Sequence, residues 1–194
     1  EISHANGSYI YDTNNKSHLD CVAGVSACTL GHNHLKVVEA IKNQLDKYLH
    51  VMVYGEYIQK PDVELTKLLA KHLPDSLETT YLTNSGTEAI AGALKLARRA
   101  TGRSQIIAAK NAYHGNTMGS MSVMGFEERK QAFRPLVPDV HFITYNNCDD
   151  IQNITRKSSA FDSSISSTWP FGFLLVSSVG RSLSSSSWIS SSLI

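Results

Sequence analysis

The sequence predicts an α/β protein with a largely parallel sheet covered by helices, and three observations carry that prediction. Between residues 80 and 144, strand-like runs alternate with helical patterns, the order that parallel strands joined by crossover helices require. The helical patterns are amphipathic, so each has one apolar side to lay on a sheet. At 194 residues, 42% hydrophobic and 18% charged, the chain has the make-up of a globular protein with a sizeable core.

The elements follow in order. Residues 9–12 and 18–22 read as short strands around Thr13, Asn14, Asn15 and Lys16, whose asparagines suit a turn. Over 35–49, Val38, Ile41, Leu45 and Leu49 recur at helical spacing. Pro61 fits the first turn of a second helix with Leu65, Leu68, Leu69 and His72 along one side, and Pro74 stops it. Residues 80–83 then form a strand, 87–100 a helix, 105–109 a strand and 140–144 another strand. A Gly- and Met-rich segment and a short polar helix around 127–133 fill the interval between the last two. In such sheets ligands sit at the carboxyl ends of strands.

From Ser158 onward the composition changes. Sixteen of these 37 residues are serine and only Asp162 and Arg181 carry charge, a bias that does not specify a packed core. Trp169, Phe171, Phe173 and Trp188 are foreign to a disordered linker. The abrupt change reads as translation in a wrong frame or through an intron. The expected division is therefore an N-terminal segment and linker (1–55), the first part of a larger α/β domain (56–156) and a non-native tail (157–194).

Composition excludes several classes. A net charge of +1 gives no reason to expect nucleic acid or a membrane surface as partner. The longest apolar stretch, 171–176, is too short to span a bilayer. Cys21, Cys28 and Cys148 make neither a disulfide framework nor a zinc pattern, which suits reduced thiols in the cytoplasm. The chain starts at Glu1 as if in mid-domain, with no signal peptide. His32 and His34 could share a strand face for a metal, but no third ligand has suitable spacing, and a turn into the next helix explains them.

Two stretches carry chemistry. In the first, a strand ends near Thr83 and a helix begins near Ser85, with Ser85 and Glu88 spaced as a capping box. Gly86 has no side chain to keep a ligand off the backbone. Free amides, the positive helix end and the hydroxyls of Ser85 and Thr87 would make a phosphate cup; the same S-x-x-E pattern also caps helices that bind nothing. Ile90, Ala93, Leu94 and Ala97 would mount this helix on the sheet. In the second stretch, just past the next strand, Tyr113 precedes His114, Gly115 and Asn116. An exposed aromatic there could stack on a flat ring, and as a lone feature it equally suits a packed aromatic. No Walker-type loop, dinucleotide glycine fingerprint or nucleophile elbow occurs.

Together, Asn84, Ser85, Gly86, Thr87, Glu88 and Ala89, then Lys95, Leu96, Ala97 and Arg98, then Tyr113, His114 and Gly115, closely resemble the class III (ornithine and 4-aminobutyrate type) aminotransferases. Residues 7–12, Leu19 with Asp20, and 30–34 resemble that family's N-terminal segment in the right order. The likeness covers about residues 1–156. It implies fold type I, with the first half of the large-domain sheet present and the sheet incomplete. It implies pyridoxal 5′-phosphate as cofactor, its phosphate on Ser85, Gly86 and Thr87. Tyr113 would lie on the pyridine face, and His114 and Gly115 would shape that turn. Val25, within 25–29, would line the substrate entrance. Amino donor and 2-oxo acid would be the substrates, and two identical subunits would build each site.

The chain also departs from the family. The aspartate that pairs with the pyridine nitrogen and the Schiff-base lysine lie further along in the family, so no catalytic residue is assigned and the chain alone is expected to be inactive. Lys110 stands near the proposed site but outside the lysine motif. Some relatives place an arginine after His-Gly, where it can grip a carboxylate. Asn116 holds that position here, which points away from an acetylornithine or ornithine type. The alternatives are an aminomutase or phospho-lyase of the same fold, or a truncated, non-catalytic paralogue that binds a partner.

Overall fold

The computed structural model describes residues 1–52, 55–147 and 149–150, together with the backbone of strands at Ser158–Phe161 and Phe173–Leu175. The reading of 157–194 as non-native lies, apart from those two strands, outside the described residues.

The chain opens with an antiparallel meander, β1 (Ile2–Asn6), β2 (Tyr9–Asp12) and β3 (Ser17–Leu19). The sequence gives no sign of β1, whose polar residues lack alternation. The β2–β3 turn forms because the Asp12 carboxylate accepts from the amides of Asn14 and Lys16, each at 2.9 Å, while Asn15 takes a positive φ. β3 ends earlier than the expected 18–22. At Asp20 the carboxylate turns to the chain ahead, with Oδ1 accepting from the amides of Val22 and Ala23 at 2.9 Å.

The next turn, α1 (Ala23–Ser26), winds left-handed, with φ of 50° at Ala23, 59° at Gly24, 55° at Val25 and 66° at Ser26. Such backbone is costly for any residue but glycine, and its hydrogen bonds from Ser26 to Val22 and from Cys28 to Ala23 hold it. The helix α2 (Leu35–Leu45) is a turn shorter than the periodicity suggests. Much of its apolar stripe lies open: Val38 is half-buried, but Ile41 and Leu45 are more than half exposed, and Leu49 beyond them more so. Helix α3 (Lys60–His72) carries Pro61 in its first turn and stops at Leu73, which is extended ahead of Pro74. Leu65 and Leu69 are half-buried as expected, whereas Leu68 is exposed.

β4 (Thr80–Leu82), α4 (Gly86–Thr101), β5 (Gln105–Ala109) and β6 (Val140–Ile143) appear where the alternation places them. α4 starts at the Ser85 cap and ends at Gly102, whose left-handed backbone returns its N–H to Arg98 O. The Gly- and Met-rich segment contains one more short helix, α5 (Met118–Ser122). The expected polar helix at 127–133 is two 3-10 turns, Glu127–Arg129 and Gln131–Phe133.

β5 is central in a parallel sheet of order β6-β5-β7, where β7 is Ser158–Phe161. β4 does not join this sheet; it pairs antiparallel with β8 (Phe173–Leu175), Thr80 facing Leu175. Ile106, Ala108 and Val123 form the core, with Ile90 and Leu94 of α4 on one side and Val140 and Phe142 of β6 alongside. The segments that follow β4 and β5 meet where Gly115 lies against Thr87 at the start of α4.

Candidate functional site

The cap of α4 is built from two reciprocal bonds. Ser85 Oγ accepts from the Glu88 amide at 3.4 Å, and the Glu88 carboxylate accepts from the Asn84 amide at 2.9 Å. The second bond falls one residue ahead of the usual capping-box partner, so it anchors the approach to the helix as well as its start. No acceptor among the described residues takes the amides of Gly86 and Thr87. A Cβ added at Gly86 would meet nothing within 4 Å. Two free amides beside open space, at the positive end of a 16-residue helix, make a surface that favours an anion.

The Thr87 hydroxyl also has partners within the fold. Its hydroxyl lies 2.6 Å from Ser120 Oγ and 2.8 Å from Thr117 Oγ1, and it accepts from the Thr117 amide at 3.2 Å. Thr117 and Ser120 hydroxyls are 3.0 Å apart, which closes a triangle. The Thr87 side chain thereby ties α4 to the start of α5. Neither Thr117 nor Ser120 is visible as a partner in the sequence; the only signal is a pair of hydroxyls three apart beside Gly119.

Gly115 brings the two stretches together. Its φ is +115°, and a Cβ there would overlap Thr87 Cβ and Oγ1 and stand 3.1 Å from Thr87 Cα. Only a bare α-carbon permits this approach. Tyr113 is 43% exposed, with the Arg129 guanidinium 6.0 Å from its ring centre. His114 is buried and Asn116 exposed. Lys110 is exposed; its backbone amide continues the ladder to Ile143 O at 2.8 Å.

Ser85, Gly86, Thr87, Tyr113, His114 and Gly115 therefore form one neighbourhood. Val25 does not share its hydrogen bonds: it stands 83% exposed on the left-handed turn between β3 and α2. Below that turn, Asp20 accepts from His32 Nε2 at 2.7 Å. This bond, with those from the Ala23 and Val22 amides, holds the Asp20 carboxyl below the usual range. His32 is thereby engaged in fixing a loop, and among the described residues no three His, Cys, Asp or Glu side chains group to hold a metal.

The family model described as Aminotransferase class-III matches residues 1–167, past the limit of likeness drawn at 156. Acetylornithine aminotransferase of Archaeoglobus fulgidus is 37% identical over 82% of this chain and 41% of its own length. The LysW-aminoadipate semialdehyde/glutamate semialdehyde transaminase assigned as putative in Pyrococcus abyssi is 40% identical over 82% of the chain and 43% of its own length. Among solved structures, adenosylmethionine-8-amino-7-oxononanoate aminotransferase of Methanocaldococcus jannaschii superposes with a TM-score of 0.72 at 28% identity, covering 82% of this chain and 40% of that one. The chain thus spans about two fifths of these relatives. An acetylornithine enzyme stands among them although Asn116 points away from that type. The chain belongs to the class III aminotransferases.

Proposed function

We propose that the intact protein moves an amino group from an amine or amino acid to a 2-oxo acid with pyridoxal 5′-phosphate, and that this chain supplies the phosphate cup and the ring-stacking face. The observation that carries the reading is the helix end, where the Gly86 and Thr87 amides have no acceptor among the described residues and a Cβ at Gly86 would meet nothing within 4 Å. A phosphate dianion is the ligand that such an end favours. Ser85 Oγ can add a hydroxyl to it, and Tyr113, exposed on the neighbouring loop, offers a flat apolar face to the ring. His114 and Gly115 keep that loop against α4. When bound, the cofactor supplies an electron sink for charge released at the substrate α-carbon. Proton movement at that carbon needs a base that the described residues do not bring to the site, so on this reading the chain by itself binds without turning over.

The same reading makes the intact protein a homodimer in the cytoplasm, and the thiols of Cys21 and Cys28, both free, suit that compartment. It divides the chain at 55/56 and 156/157, the first break falling between the meander with α2 and the β4–β6 unit. Among the described residues no helix is long and apolar enough to cross a membrane. Equilibrium dialysis of the purified chain provides the test. Pyridoxal 5′-phosphate should bind at least about tenfold more tightly than pyridoxal, the difference resting on charge-assisted bonds at the helix end. Equal affinities, or no binding of either, would refute the cup.

A further inference from the structure

We infer that Lys130 is a positioning residue for the Tyr113 turn: its buried ammonium ties down the segment on which the start of that turn is seated. The inference rests on the reading of Tyr113 as the ring-stacking face. In sequence Lys130 ends the run Glu127, Glu128, Arg129, Lys130, within the segment expected as a short polar helix. The structure buries it, with 4% of its side chain exposed.

An ammonium is retained in such a place only when other groups replace its water. Three do so here. Nζ donates to the Met124 carbonyl at 2.7 Å, the Glu127 carboxylate lies at 3.6 Å, and the Phe142 ring centre lies at 4.0 Å. Burial still pushes the Lys130 pKa below the ordinary lysine value, so the site stabilises the charge incompletely.

The carbonyl that Lys130 holds precedes Gly125, and Gly125 is in tight contact with the end of β5. Gly125 N–H donates to Ala112 O at 2.8 Å, and Asn111 N–H donates to Gly125 O at 3.4 Å. A Cβ at Gly125 would collide with the Asn111 amide and stand 2.6 Å from Ala109 O and 2.8 Å from Lys110 C. The two backbones therefore lie against each other with no side chain between them. Asn111 takes a φ of +63° in this contact, and Tyr113 follows two residues later. From the other flank Arg129 lies 6.0 Å from the Tyr113 ring centre and 5.2 Å from that of Phe126. One short segment thus reaches the Tyr113 turn twice, from beneath through Met124 and Gly125 and from the side through Arg129. Without the ammonium, the Met124 carbonyl is left buried and unpaired, and the Gly125 contact loses its anchor.

The test is hydrogen exchange on the purified chain and on Lys130→Met, which keeps length and apolar bulk while removing the charge. Exchange at the Asn111 and Gly125 amides should accelerate about tenfold or more, the effect of losing a bond to a charged group. The Ile107 and Ala108 amides within β5 should change by less than about twofold, a local opening leaving the strand intact. Glu127→Gln, which withdraws the carboxylate charge 3.6 Å from Nζ at an exposed position, should give the same local pattern more weakly, and it decides the matter if Lys130→Met does not fold. Unchanged exchange at 111 and 125, or equal acceleration throughout β5, would overturn the inference. The induced circular dichroism of bound pyridoxal 5′-phosphate should also fall in Lys130→Met. Absence of cofactor binding by the unaltered chain would instead strike the parent reading, since the exchange result needs no cofactor.

Discussion

Gly115→Ala tests most directly whether the two stretches meet as described. The new methyl would overlap Thr87 Cβ and Oγ1, with Thr87 Cα at 3.1 Å. Those atoms sit on the first turn of α4, so they cannot swing aside as the tip of a long side chain would. Overpacking of this kind costs about 1–3 kcal/mol, and a side chain at a φ of +115° adds about 1–3 kcal/mol. The sum is about 2–6 kcal/mol, a large part of the roughly 5–15 kcal/mol that holds a typical domain together. With a urea dependence of about 2 kcal/mol per molar, the midpoint should fall by about 1–3 M. Urea titration followed by far-ultraviolet circular dichroism reads this. Gly86→Ala is the control, because its Cβ meets nothing within 4 Å. It should hold or slightly raise stability, by up to about 1 kcal/mol, yet weaken pyridoxal 5′-phosphate binding by filling the space beside the free amides. A midpoint for Gly115→Ala within about 0.3 M of the unaltered chain, on that same dependence, would mean that the loop and α4 do not touch.

Other expectations follow from the same geometry. Thr87→Ala and Ser120→Ala should each cost about 1 kcal/mol, and the double variant should depart from additivity by about 0.5–3 kcal/mol, because the two hydroxyls share one triangle; strict additivity in urea melts would dissolve it. Asp20 has its carboxyl pKa lowered by His32 and by the Ala23 and Val22 amides. Its contribution is therefore complete above the ordinary value of 3.8 and is lost as pH falls through the lower folded value. Hydrogen exchange at 22–28 should quicken in that acid range, and Asp20→Asn should remove the pH dependence; an unchanged profile in the variant would show that Asp20 is not the anchor. Ile41→Lys with Leu45→Lys should lower the fluorescence of an apolar dye added to the chain, since both side chains stand exposed on one stripe of α2. Dye binding equal to that of the unaltered chain would place the apolar surface elsewhere.

Much of the fold is legible from local rules. β5 was readable to the residue because Ile106, Ile107, Ala108 and Ala109 are all buried, and an apolar run of that length between polar neighbours has few other uses. α4 announced its start, through Ser85 with Glu88. What stayed hidden depends on partners distant in sequence. The hydroxyl of Thr87 at a helix start suits a ligand or a neighbour equally well, and its bonds to Thr117 and Ser120, about thirty residues on, have no local signature. α5 is five residues long, too short for a periodicity to register, although Ser120, Met121 and Ser122 are all buried. The burial of Lys130 stayed hidden because nothing in a sequence marks which member of a polar run turns inward. β4 pairs with β8, and no local pattern indicates which strand another will choose.

The left-handed turn at Ala23–Ser26 changes what substitution at Val25 would report. A β-branched side chain is among the worst tolerated on such backbone, so almost every replacement there relieves the main chain before it alters what the position presents. Glycine or asparagine would give the largest relief. A panel of variants at Val25 ranked by activity would then mix two orders, one for fit to an incoming molecule and one for ease of winding the turn. Measuring both quantities on each variant separates them, and residues that improve the winding yet impair turnover would show that evolution kept an awkward valine for the shape it offers.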